Sequence, residues 1–477
     1  MWLALVVGPL TLLWWASVVL VPALGVWLAS SIAAYRNGPV WLACACGLLL
    51  FPLAPLLWDL LGTWRRSRAK RARPRILMVR DRLILRTLVL NLAVLAGLLA
   101  GFPGTSFTAL STRGDWFLDG REGSQVEAIR ALLFRAADTL EWLFDATHAN
   151  PYDEVVGREP PPQPVPGDSK VVAPIAVPQP TPPTDATTAA LAWPLPEQLH
   201  PLVVNMPAEA EASIASVGRY IAEHEPDQRL RIKALHDYVA DRIAYDAEAY
   251  ADRRYPPQDA ETVFRTRLAV CAGSAQLLAA LGSAAGEEIV VVLGDARVRG
   301  SDVTGEGHAW NAARIADDWA LIDATWDAGS VEGRTFNKSY SSSHLFAPPA
   351  VFAVSHFPDE PRWQLQSPPL SRGDFFRAPM MRAEFHALGL SLLTPDRSQV
   401  SVDEVFEVAV DNPQGRFILA KFAGPAGAGR CAVVNGARAT ARCALPAAGA
   451  YQVELYAAPE EFGSYPLVGS FVVNRTR

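Results

Sequence analysis

From Met1 to Ala34 the chain carries no charged residue, a run longer than the roughly 20 apolar residues that cross a bilayer as a helix. A second apolar run extends from Val40 to Trp64 and a third from about Leu83 to Phe102. The sequence therefore predicts three membrane spans, at about residues 4–30, 40–64 and 83–102. A secretory signal peptide competes for the first run, but no basic region precedes it and a second long apolar stretch follows. Pro22 marks where the first span would break or kink. Arg86, near the start of the third run, is long enough to snorkel to the headgroups. Asp59 falls near the cytoplasmic end of the second run, where partial hydration accounts for it, and it is given no role.

Charge sets the direction of these spans. Residues 1–103 hold eleven basic residues against Asp59 and Asp81, a net +9; with −6 for the whole chain of 477, the remainder carries −15. The loop bearing Arg65, Arg66, Arg68, Lys70, Arg71, Arg73, Arg75, Arg80 and Arg82 is short and basic, and such loops stay cytoplasmic. The expectation is a multi-pass protein of the cytoplasmic (inner) membrane whose residues after about 103 lie on the extracytoplasmic, periplasmic side. So acidic an exported part would repel phosphate backbones, which excludes nucleic acid as a partner.

The exported part divides by texture. Between Ser124 and His148, Val126, Ile129, Leu133, Ala137, Leu140 and Phe144 recur at helical spacing, predicting one amphipathic helix within 104–150. It packs on its own domain or, if left exposed, meets a partner helix or a membrane surface. Residues 151–200 are dense in proline and read as an extended linker. From 201 to 373 helical periodicity gives way to strands: a helix over Ala272–Ala285 ended by Gly286, then strands over Ile289–Val292, His308–Ile315 and Trp319–Thr325, the last two joined at Ala316 and Asp317. Helix first and sheet second predicts an α+β domain.

From 374 to 477, strand candidates at Val405–Val410, Arg416–Phe422, Tyr451–Ala457 and Leu467–Val473 alternate with turn residues, the pattern of an all-β sandwich. Gly449, Ala450 and Tyr451 resemble a tyrosine corner.

The five cysteines have different contexts. Cys44 and Cys46 lie in the second apolar run as small hydrophobic residues. Cys431 and Cys443 flank the turn Val434, Asn435, Gly436, and are expected to form a cross-strand disulfide in an oxidising compartment. Cys271 is left over, and reads either as buried filler or as a reactive thiol. A thiol nucleophile needs an imidazole to take its proton and a third group to orient that imidazole. With Ile315 opposite Asp318, His308 and Asp323 become diagonal neighbours on one face of the hairpin. Cys271 at a helix amino terminus adds partial positive charge that favours thiolate over thiol.

The ordered motifs Val270-Cys271-Ala272-Gly273, His308-Ala309-Trp310-Asn311 and Trp319-Ala320-Leu321-Ile322-Asp323-Ala324-Thr325-Trp326 resemble the transglutaminase-like superfamily. The resemblance covers roughly residues 210–370, from Tyr245-Asp246 to Trp363-Gln364-Leu365, and its tail is similar to the kyphoscoliosis-peptidase and cytokinesis-related branch. It implies a papain-like fold in which Cys271 is the nucleophile, His308 the base and Asp323 its orienting group, supported by Trp310, Asn311, Trp326 and Tyr245. The aromatic residue frequent after the glycine of the cysteine motif is absent at Ser274 and Ala275. Phe264, Arg265 and Thr266 stand where papain-like enzymes often place an oxyanion-donating glutamine, leaving the Cys271 backbone N–H as one candidate donor.

No H-E-x-x-H, C-x-x-C pair, G-x-S-x-G or Walker loop occurs, so no metal and no cofactor is expected. His344 and His356 lie twelve apart without a ligand cluster, and His356 is taken as structural. The expected architecture is multi-domain: an α-helical membrane anchor, an α+β transglutaminase-like (papain-like) domain, and a C-terminal all-β immunoglobulin-like sandwich. The expected function is a membrane-anchored extracytoplasmic cysteine peptidase, amidase or protein-glutamine transamidase acting on proteins or cell-wall peptides. The alternative is a catalytically silent peptide- or protein-binding scaffold on the same fold. A reporter fused after residue 110 should be active only outside the cytoplasmic membrane; cytoplasmic activity would overturn the three-span topology.

Overall fold

The computed structural model describes residues 2–36, 38, 40–68, 77–119, 121, 123–157, 193–297 and 303–476. Lys70, Arg71, Arg73 and Arg75 of the basic loop, and most of the proline-rich segment, lie outside the described residues. The chain forms two compact units that interleave in sequence. One comprises Met1–Ala149, Arg297–Gly305 and Pro368–Arg477; the other comprises Asn150–Ala296 and Glu306–Ser367.

In the first unit, three helical stretches are long and apolar enough to cross a membrane: Leu13–Tyr35, Val40–Ser67 and Val79–Gly101. The first helix, Trp2–Tyr35, continues through Pro22 without a break. The second is disturbed instead at Leu49–Leu53, where Phe51 leaves helical geometry before Pro52, the restriction proline imposes on the residue preceding it. Asp59 is paired with Arg82 (3.1 Å) and with Arg86, so a neighbouring helix supplies the compensation that hydration was expected to give.

The single helix expected over 124–148 is two, Ser124–Asp138 and Glu141–Asp145. Between them the Thr139 hydroxyl bonds the Ala136 carbonyl (2.7 Å), the local competition with the backbone by which threonine disturbs helices. Of the predicted apolar stripe, Ala137 and Phe144 are buried and Ile129 is exposed.

The carboxyl-terminal part is β-rich. One sheet runs in the order Met380–Met381, Leu467–Arg475, Gly449–Ala458, Phe417–Gly424, Gly427–Arg430; a second runs Ser391–Thr394, Val405–Asp411, Arg438–Ala444, Ala432–Val434. Both contribute to one core that includes Phe406, Val408, Ile418, Val453 and Phe471. Ala432 pairs with Arg442, which sets Cys431 opposite Cys443, and these two are disulfide-bonded.

The second unit packs helices on an antiparallel sheet. Its helices are α1 (Ile214–His224), α2 (Gln228–Arg242), α3 (Cys271–Ala285) and α4 (Ala324–Ala328). Its main strands are β1 (Ile289–Ala296), β2 (Glu306–Ile315), β3 (Asp318–Ile322), β4 (Leu345–Ala347) and β5 (His356–Pro358), in the sheet order β4-β3-β2-β1-β5. Ser213 and Asp227 cap α1 and α2, and Gly286 ends α3 with a left-handed φ of 79° that favours glycine. Gly218 lets α1 approach α3, since a Cβ there would lie 2.5 Å from that of Ala284. Residues 151–157 and 193–200, at the two ends of the segment read as a linker, belong to this unit.

The strand expected to reach Thr325 stops at Ile322, because Asp323 caps α4 by accepting from the Thr325 and Trp326 N–H groups (2.9 and 3.1 Å). Behind α4 lies a buried polar network. His236 Nδ1 is 2.9 Å from Asp237 and its Nε2 is 3.2 Å from Asp327; Lys233 and the Tyr340 hydroxyl bond Asp237 at 2.6 and 2.7 Å; and the His344 N–H bonds Asp327 at 3.1 Å. These contacts add polar ties between α4 and α2 to the apolar core that Leu235, Val239 and Ala324 share. Burial by itself would depress His236, but Asp237 and Asp327 raise it to about 9. The stability it contributes is thus complete below about pH 6.5 and lost as pH rises through about 9. The melting temperature of detergent-solubilised protein should fall over that window, and His236→Gln should remove that part of the fall. An unchanged pH dependence in the variant would refute this assignment.

Candidate active site

Cys271 is the first residue of α3, preceded by Val270 in extended geometry. Two short parallel strands, Ala244–Tyr245 and Leu268–Ala269, deliver the chain to this point and set Tyr245 beside Ala269. Gln258 fixes the turn into the helix: its Oε1 accepts from the Val270 N–H at 2.9 Å and its Nε2 donates to the Pro256 carbonyl at 3.0 Å. Gln258 is a buried glutamine upstream of the cysteine, farther back than the region where sequence reading sought one. Cys271 itself has 1% exposure.

β2 and β3 pair with Ile315 opposite Asp318 and Asn311 opposite Ile322, so His308 and Asp323 lie diagonally across the ladder. His308 Nε2 is 2.8 Å from Asp323 Oδ2. With that nitrogen engaged, Nδ1 is the nitrogen left for Cys271, whose nearby sulfur favours charge on the imidazole. Burial opposes charge on His308, but Asp323 first and Cys271 next raise it to about 10. Burial likewise opposes the Asp323 carboxylate, yet His308 and then His356 hold it far below the usual range.

The structure brings Cys271, His308 and Asp323 together and distributes the supporting residues around them. Trp310 is buried, with its ring 5.9 Å from that of His308, and the Trp326 ring lies 5.6 Å from His308. Asn311 is engaged with backbone carbonyls. Its amide donates to the Ala275 and Val290 carbonyls (2.9 and 3.2 Å), clamping β2 to α3 and β1 and so holding the histidine strand against the cysteine helix. Tyr245 faces Tyr250 at 5.8 Å and packs against the buried cluster that holds Cys271.

Two residues emerge that sequence reading did not place in the site. His356, at the start of β5, has its Nε2 3.1 Å from Asp323 Oδ2. Among the described residues, His308, Asp323 and His356 also form a buried trio whose ligand-type atoms lie within 4.8 Å of one another, with both imidazoles hydrogen-bonded to the same carboxylate oxygen.

Tyr152, from the segment read as linker, is also 1% exposed and packs with Cys271 in one buried cluster. Its neighbours hold it in place: Asn150 donates to the Gly294 carbonyl (2.8 Å), Gln276 donates to the Val155 carbonyl (3.1 Å), and the Tyr255 ring is 5.3 Å away. Its proline-rich context disguised it.

A family model described as "Transglutaminase-like superfamily" matches residues 215–324, which contain Cys271, His308 and Asp323. This domain belongs to the transglutaminase-like superfamily. Among characterised proteins, kyphoscoliosis peptidase of Mus musculus is 31% identical over 177 residues, and that of Homo sapiens 30% identical over 177 residues. Each alignment takes in 36% of this chain and 27% of the relative, so the chain spans about a quarter of the relatives' length. A solved structure described as "Crystal structure of a TGase" aligns at 22% identity over 30% of this chain and 39% of its own, with a TM-score of 0.21.

Because Tyr152 covers Cys271, Tyr152→Ala should open the site and speed alkylation of Cys271 in the folded protein, measured by mass spectrometry on intact chains. A rate equal to that of the unaltered protein would show that Tyr152 does not limit access.

Proposed function

We propose that this chain is a membrane-anchored cysteine enzyme that cleaves or transfers amide bonds of proteins or cell-wall peptides outside the cytoplasmic membrane. The observation that carries the reading is the 2.8 Å contact of His308 Nε2 with Asp323, which commits the other imidazole nitrogen to Cys271. In the proposed cycle, His308 Nδ1 already holds the thiol proton, and sulfur adds to the amide carbonyl as the thiolate. The same proton then passes to the departing amine as the C–N bond breaks, leaving a thioester. Water completes hydrolysis; a second amine completes transamidation. The first N–H groups of a helix have no intrahelical acceptor, which makes the Cys271 backbone N–H a fitting donor to the tetrahedral oxyanion.

The remaining parts of the reading have their own support. The three apolar stretches, with the basic residues between the second and third, support an anchor with an extracytoplasmic remainder. The Cys431–Cys443 disulfide suits an oxidising compartment. An immunoglobulin-like sandwich over about 374–477 is supported by two sheets sharing a core. It is supported further by Tyr451, whose hydroxyl donates to the Ala447 carbonyl at 2.9 Å and accepts from the Ala447 N–H at 3.2 Å, as in a tyrosine corner.

A second reading, a catalytically silent peptide- or protein-binding scaffold, is favoured by the burial of Cys271 under Tyr152. Thiol labelling and amide turnover by the purified full-length protein separate the two. For an enzyme, Cys271→Ser abolishes labelling, His308→Ala lowers turnover by up to about 10⁶-fold, and Asp323→Asn lowers it by about 10⁴-fold while retaining some labelling. Labelling that is indifferent to His308→Ala, with no turnover of any peptide or amine donor, would replace the enzyme with the scaffold.

A further inference from the structure

We propose that His356, backed by Ser355, is a positioning residue of the triad: a neutral imidazole whose Nε2–H holds the Asp323 oxygen that also engages His308. This rests on the triad reading above and adds a fourth side chain to it. The Asp323 carboxylate, an acceptor only, lies 3.1 Å from His356 Nε2 and 2.8 Å from His308 Nε2, so each nitrogen facing it carries a proton. A neutral imidazole with its proton on Nε2 accepts at Nδ1, and the Ser355 hydroxyl is 2.9 Å from that atom. The tautomer of His356 is thereby fixed from both ends. Burial is the main reason this imidazole is held down to about 4, outweighing Asp323, with His308 and His344 adding to the effect.

The count of donors shows why a second imidazole matters. A carboxylate offers about four lone-pair sites. Asp323 fills two at Oδ1 with the Thr325 and Trp326 N–H groups, and two at Oδ2 with His308 and His356. With every site taken, the carboxylate has no rotation open to it that keeps its partners and no vacancy for water. His308 is then presented to Cys271 in one tautomer and one orientation. The His356 ring is fixed in turn between Phe352 at 4.1 Å and Trp326 at 4.5 Å, with Trp310 at 5.1 Å and His344 at 5.8 Å. Removing the His356 donor leaves Oδ2 of Asp323 to His308 alone, which stabilises the imidazolium and weakens it as an acid toward the leaving amine.

The test uses full-length protein in detergent, with amide turnover and Cys271 alkylation each followed against pH. His356→Ala should lower turnover about ten- to hundredfold, the range for loss of one hydrogen bond to a charged group. It should also move the His308-dependent limb of the alkylation profile to higher pH. His356→Gln keeps an N–H donor and should recover most of the turnover, while Ser355→Ala should shift the profile in the same direction by less. If His356→Ala leaves turnover and profile unchanged, or if folded His356→Gln loses as much turnover as His356→Ala and neither moves the profile, the positioning role is refuted. His308→Ala and Cys271→Ser run beside these variants. Labelling indifferent to His308 brings down the triad and this proposal with it, whereas a working triad with silent His356 variants brings down this proposal alone.

Discussion

The Asp323 carboxylate is a full negative charge in a place where water does not reach, and the surrounding structure is arranged to compensate it. An isolated buried carboxylate costs many kcal/mol and would ordinarily neutralise itself by taking up a proton. Here two backbone N–H groups at the start of α4 and two imidazoles from β2 and β5 share the load. Those four donors come from three stretches of chain that are distant in sequence. The compensation therefore also fixes where a helix begins, where a strand ends and how two histidines are turned. Displacing any one of them unbalances the charge, which couples the local geometry more tightly than apolar packing would.

The same logic recurs one layer back, with a different outcome. His236 sits between Asp237 and Asp327 and is held charged, whereas His356, also buried and also against a carboxylate, is held neutral. The difference lies in the neighbours. His236 faces two acids, while His356 shares its single acid with His308, which has the stronger claim on it. Three buried histidines thus meet carboxylates in different settings: His236 between Asp237 and Asp327, and His308 and His356 together on Asp323.

Cys271 sits on the boundary between a reactive arrangement and a closed one. Its helix terminus and its imidazole suit nucleophilic chemistry, yet Tyr152 and the chain around it leave the sulfur nearly inaccessible. That cover is made of specific hydrogen bonds from Asn150 and Gln276 as well as a packed ring, so it is a built feature of the domain and not loose chain resting on it.

Much of this was legible in the residues because it depends on short-range periodicity and turn chemistry. Long apolar runs marked the membrane-length helices, turn residues at regular spacing marked the strands at Val405–Asp411 and Leu467–Arg475, and Gly286 marked the end of α3. The Ala316–Asp317 turn set the register that makes His308 and Asp323 neighbours. The break at Thr139 and the helix cap at Asp323 were local signals too, but alternation and spacing outweighed them. What only the tertiary structure decided is which distant residues complete the site. His356 meets Asp323 across 33 positions, and Gln276 reaches Val155 across 121. Periodicity ranks residues by the face they present to their own element. The partners that neutralise a buried charge or cover a thiol are selected by three-dimensional packing, to which sequence separation is no guide.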